Sequence, residues 1–141
     1  MDATVNELAQ MLISSWVLAR PEDPLPTSDG ILDAALQECV RDGEFPVWFR
    51  DRLRFSSDVS GVRCIELAAI LEEAQASKLT EAPNPTYTRT VVRATQFMAE
   101  SMAFDLDLPV ADVETWGKAL VAAVERQISA YDNPVGSVSA V

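Results

Sequence analysis

The chain has 141 residues, 22 acidic against 11 basic side chains, no histidine and a net charge of −11. A charge of that sign repels nucleic acid and anionic membrane over long range. The missing histidine removes His-based triads and dyads and histidine-ligated zinc, copper or non-haem iron.

An apolar fraction of 48% is enough for one ordinary globular domain. The charge is uneven along it. Residues 1–40 hold one basic and seven acidic side chains (−6), residues 41–63 five and four (+1), and residues 105–141 two and six (−4).

Thr4-Val5-Asn6-Glu7 is a capping-box pattern. Val5, Leu8, Leu12 and Trp16 follow at helical spacing, with Ile13 and Val17 beside them. Pro21 predicts that this first helix ends near Arg20, and Pro21 to Pro26 reads as an extended connection. Ser28 or Asp29 is expected to cap a second helix. Its inward face is Leu32, Ala35, Leu36, Cys39 and Val40, and Gly43 supplies a left-handed stop.

Phe45 to Phe55 has a different character. It holds four of the ten aromatic residues and three of the nine arginines. As a helix it would place Arg52 in the middle of its apolar face. As a strand it alternates: Val47, Phe49, Leu53 and Phe55 on one side, Trp48, Arg50, Arg52 and Arg54 on the other, with Asp51 out of place. The alternation predicts a strand, a turn over Ser56–Gly61 and a weaker returning strand over Val62–Glu66. A lone hairpin is marginal in water, so its apolar face must lie against helices.

Leu67, Ile70, Leu71 and Ala74 predict a third helix fading near Leu79. Ala82-Pro83-Asn84-Pro85 reads as a rigid connection. Thr86 or Thr88 is expected to start a fourth helix carrying Val91, Thr95, Met98 and Met102, flanked by Phe97 and Phe104. Tyr87, Arg89 and Arg93 form a second basic patch around its start. Leu108-Pro109 opens a fifth helix, with Val113, Gly117, Leu120, Val124, Ile128 and Tyr131 on one stripe and Gly117 as a point of close packing. Asp132-Asn133-Pro134 ends it.

The sum is an α+β fold, mostly helical, with about five helices and one β-hairpin near residues 46–66. The alternative is an all-α bundle in which residues 46–55 are a short helix. One domain is expected over residues 1–131, with a flexible tail over 132–141.

Little here does chemistry. There is no Walker-type or dinucleotide glycine loop. The carboxylate pairs Glu72/Glu73 and Asp105/Asp107 point apart on a helix. Asp105-x-Asp107 lacks the remaining ligands of a calcium loop and reads as capping. Cys39 and Cys64 have no C-x-x-C spacing and read as buried thiols in a reducing compartment. No signal-peptide pattern and no membrane-length apolar run is seen, so the cytoplasm is the expected location. No enzyme activity, cofactor or metal is expected.

The basic row is the exception. On a strand, Trp48, Arg50, Arg52 and Arg54 would repeat at ~6.6–6.8 Å and suit carboxylate, phosphate or nucleobase partners. The competing reading has the row neutralised by the protein's own acidic helices and Trp48 in the core. The function expected is a non-catalytic adaptor or assembly factor. It would hold another protein by an acidic or C-terminal peptide on Trp48, Arg50, Arg52 and Arg54, with a homodimer as a further option. The alternatives are a regulator binding RNA or another nucleic acid through the same row, and a small enzyme using only Asp and Glu.

The strings Trp48-Phe49-Arg50-Asp51-Arg52-Leu53-Arg54-Phe55 and Pro83-Asn84-Pro85-Thr86-Tyr87 resemble small cyanobacterial non-catalytic assembly proteins, those assisting carboxysome or RuBisCO assembly. The resemblance implies an assembly adaptor and transfers no functional residue.

Overall fold

A computed structural model describes residues 3–81 and 89–132. Six helices and one hairpin run through them: α1 (Val5–Ala19), α2 (Ile31–Arg41), α3 (Val47–Arg50), β1 (Phe55–Asp58), β2 (Gly61–Cys64), α4 (Leu67–Ala76), α5 (Gln96–Asp105) and α6 (Val110–Asp132). The fold is α+β and mostly helical, as the periodicities predict. Among the described residues, no helix is long and apolar enough to cross a membrane.

The expected capping box starts α1. The Thr4 hydroxyl accepts the Glu7 N–H at 3.1 Å, and the Glu7 carboxylate accepts the Thr4 N–H at 2.9 Å. Every residue from Met11 to Leu18 is buried, because α4, α5 and α6 all pack on α1. A helix apolar on all sides needs such cover. Its two buried serines keep their hydroxyls satisfied locally: Ser14 donates to the Met11 carbonyl (3.3 Å) and Ser15 to the Leu12 carbonyl (2.9 Å). Gly117 of α6 crosses α1 so closely that a Cβ there would lie 1.8 Å from the Ser15 carbonyl oxygen. The close packing expected at Gly117 is therefore present.

Helix α2 packs on α6 and on β2. It starts from a tight turn, with Asp29 at φ 59° and Gly30 at φ 70° and the Ile31 N–H donating to the Ser28 carbonyl at 3.2 Å. Two consecutive left-handed residues make this a type I′ turn. Gly30 is thus the N-cap, not Ser28 or Asp29, and no side chain caps the helix. Gly43 (φ 76°) ends it as expected: the Glu44 N–H reaches the Cys39 carbonyl (2.9 Å) and the Gly43 N–H that of Val40 (3.1 Å).

The expected strand over Val47–Arg54 is replaced by one helical turn, α3. Pro46 (φ −67°, ψ 153°) is its N-cap, and the Pro46 carbonyl accepts the N–H groups of Phe49 and Arg50, both at 3.0 Å. Strand begins only at Phe55. The hairpin pairs Phe55 with Cys64, Ser56 with Arg63, Ser57 with Val62 and Asp58 with Gly61; it lies within residues 46–66, but Ser56–Asp58, expected in its turn, are paired strand. The Asp58 carboxylate ties its turn by accepting the Ser60 N–H (2.8 Å) and hydroxyl (2.5 Å).

A second difference lies before α5. Thr90 bridges to Leu25 and Val92 to Thr80, so residues 89–94 are not helix, and α5 starts at a Thr95 N-cap that accepts the Met98 N–H at 3.2 Å. The predicted connection Ala82–Pro85, the predicted starts Thr86 and Thr88, and the tail beyond Asp132 lie outside the described residues.

Candidate functional site

The residues singled out in the sequence do not line up. Trp48 is half-buried and meets Phe49 edge to face at 6.2 Å, and Phe49 stacks on Phe45 at 4.8 Å. Phe45 also approaches Trp116 of α6 at 6.3 Å. Phe45 is buried with φ 69°, an uncommon conformation for a bulky side chain. Its carbonyl accepts a hydrogen bond from Arg50 Nε at 3.1 Å.

The other two arginines go elsewhere. Arg52 Nε donates to the Ala3 carbonyl at 3.0 Å. Arg54 Nε pairs with Glu66 Oε2 at 2.6 Å, while the Arg54 backbone N–H donates to Glu66 Oε1 at 2.7 Å. Three guanidinium groups thus serve three separate acceptors within the chain, and the shared face that strand alternation predicted is not formed. Of the second basic patch, Arg93 sits beside Glu81 (3.4 Å) on the extended segment rather than on a helix, and Tyr87 lies outside the described residues.

Cys39, Cys64 and Asp33 are structural in placement. Burial pushes the Cys39 thiol up to about 12, with Glu44, Glu38 and Asp42 adding to it. Burial likewise raises Cys64, to about 11. Both are therefore protonated, weakly nucleophilic thiols. Asp33 accepts the Cys64 N–H at 2.7 Å, tying α2 to β2. A polar cleft of about 470 Å³ opens between the Ser28–Ile31 turn and the hairpin, lined by Thr27, Asp29, Asp33, Ser60 and Arg63 among others. Among the described residues, no group of three or more Cys, Asp or Glu is placed to hold a metal ion.

Among the described residues, the large exposed aromatic side chains lie on α5. This helix buries Ala99, Met102 and Ala103 against the core. Phe97 and Phe104 are 77% and 83% exposed. Seven residues apart, they differ by only about 20° around the helix axis and stand opposite the buried stripe. Glu100 and Asp105 are exposed on either side of them. Just beyond, a notch of about 250 Å³ is lined by Phe104, Asp107, Leu108 and Pro109.

The sequence held a signal for this face. Phe97 and Phe104, expected as flanks of the buried stripe, share a helical phase that Met102 does not.

No family model matches this chain, and neither does any curated protein or solved structure.

Proposed function

We propose that this protein is a non-catalytic protein-binding module, an adaptor or assembly factor, and that it docks its partner on the outer face of α5. One observation carries the reading: two phenylalanine rings, Phe97 and Phe104, stand almost fully in water on the same line of one helix. Burying such a ring is worth roughly 1.5–3 kcal/mol, which the isolated chain leaves unrealised. Isolated exposed apolar residues are ordinary, but aligned rings with a polar rim are the composition of a binding patch. Arg50, Arg52 and Arg54 support a docking role less than α5 does, since each gives its Nε to an acceptor of this chain and the three do not share one face. Two buried free thiols support a reducing, cytoplasmic setting.

The test places a photo-crosslinking amino acid at Ser101, between the two rings, in the full-length protein in its native host. A discrete protein adduct is expected, and it should vanish in a Phe97→Ser/Phe104→Ser variant whose melting temperature stays within a few degrees of the parent. An adduct pattern unchanged by that double substitution overturns the proposal, as does the absence of any adduct.

A further inference from the structure

We infer that the occupant of the α5 face is a basic amphipathic helix of another protein, whose apolar stripe covers Phe97 and Phe104 and whose lysine or arginine enters the notch beside Asp107. This rests on the docking role proposed for α5 and names its partner. Three observations carry it.

The first is charge. From Ala94 to Gly117 the chain carries Glu100, Asp105, Asp107, Asp112 and Glu114, the last paired with Lys118, and no lysine or arginine. Glu100 and Asp105 border the rings directly. A partner must bring cations to such a rim, because like charges brought together across an interface suppress association. A second copy of this chain is a poor occupant for the same reason. It would set one acidic rim against another, each on a body of net charge −11.

The second is shape. Phe97 and Phe104 are about 10.5 Å apart along the axis, two helical turns. A second helix laid near-parallel offers apolar residues at the same interval, from its own i and i+7 positions.

The third is the notch. It is lined by Phe104, Leu108 and Pro109, which are apolar, and by the acidic Asp107. A long cationic side chain fits that pairing. Its methylene stem lies on apolar surface and its head meets a π-face and a carboxylate together. Asp107 is fixed in place by a backbone at φ 60°, held by its N–H to the Phe104 carbonyl at 3.0 Å.

The probes are three fluorescent synthetic peptides titrated into the full-length protein. One carries leucines along one helical stripe with lysines elsewhere. The second replaces each lysine by glutamate. The third scrambles the first so that no stripe forms. The lysine peptide is expected to bind, with amide shifts centred on α5 and residues 107–109. Its affinity should fall at least about tenfold in Phe97→Ser/Phe104→Ser, which leaves the charge unaltered. Asp107→Asn should weaken it severalfold, and added salt should weaken it further. Equal binding of the glutamate or scrambled peptide, or of the double variant, overturns the inference. So does self-association through α5 in sedimentation. If the Ser101 adduct forms with a natural partner but the lysine peptide fails to bind, the docking role stands and the basic-helix inference falls. If neither is seen, both fall.

Discussion

Glu66 shows how much one carboxylate can fix. It holds Arg54 twice, through the backbone N–H at 2.7 Å and through Nε at 2.6 Å, and so closes the open end of the hairpin just ahead of α4. Burial alone would raise its pKa, but the two bonds from Arg54 outweigh burial and hold it below the usual carboxylate value. A folded pKa below the unfolded one, ~4.3, means stability that is present above that value and lost as pH falls through the lower, folded pKa. Glu66→Gln should therefore cost about 1 kcal/mol or less at pH 7, since Arg54 is largely exposed, and the cost should shrink near pH 3. Urea midpoints of parent and variant at both pH values check it; an equal difference at the two would contradict the assignment. The neighbouring arginines mark the limit of a sequence reading at this scale. Arg50 and Arg52 satisfy main-chain carbonyls of Phe45 and Ala3, and the second lies 49 positions away in the chain. Side-chain type and spacing carry no trace of such acceptors.

Among the elements, α2, α4 and α5 all finish the same way. Each adds a left-handed residue whose successor reaches back to a carbonyl in the last turn: Gly43 after α2, Lys78 (φ 63°) after α4 and Asp107 (φ 60°) after α5. Only the first follows the usual choice of glycine, and only the first was anticipated. Lysine pays about 1 kcal/mol for that conformation, so Lys78→Gly should raise stability by roughly 0.5 kcal/mol after the added freedom of the unfolded chain is subtracted. Denaturant midpoints measure it, and a lowered midpoint would show that the Lys78 side chain contributes more than its backbone costs. The Thr4 box and the Pro109 opening were legible because local chemistry decides them. Residues 47–54 were not. Their apolar positions satisfy a period of two, but Pro46 is already poised as a helix cap and Phe49 is drawn inward to Phe45. The helical spacing through Val91 competes with composition, since Thr90, Val91 and Val92 are all β-branched, and the bridges of Thr90 to Leu25 and of Val92 to Thr80 favour extended chain.

At the scale of the whole molecule, stability depends on one close crossing. Gly117 abuts the Ser15 carbonyl, and the Ala19 Cβ lies 3.0 Å from where a Cβ would stand. The obstacle is backbone, so relief requires α1 and α6 to separate. Gly117→Ala should cost about 3 kcal/mol, the upper end of the usual penalty for overpacking, read as a lower melting temperature with loss of cooperativity. A variant that melts like the parent would mean the crossing is looser than its geometry. The same crossing has a bearing on how the chain is made. The ribosome releases α1 first, yet two of its covering helices, α5 and α6, are drawn from residues 96 to 132. Throughout that stretch of synthesis, Met11 to Leu18 form an apolar segment with α4 as the one major neighbour already available. Contacts between such distant segments form slowly, and nascent chains that expose apolar surface in the interval are prone to aggregate. The helix most thoroughly enclosed in the finished protein is thus the one that spends longest uncovered at birth.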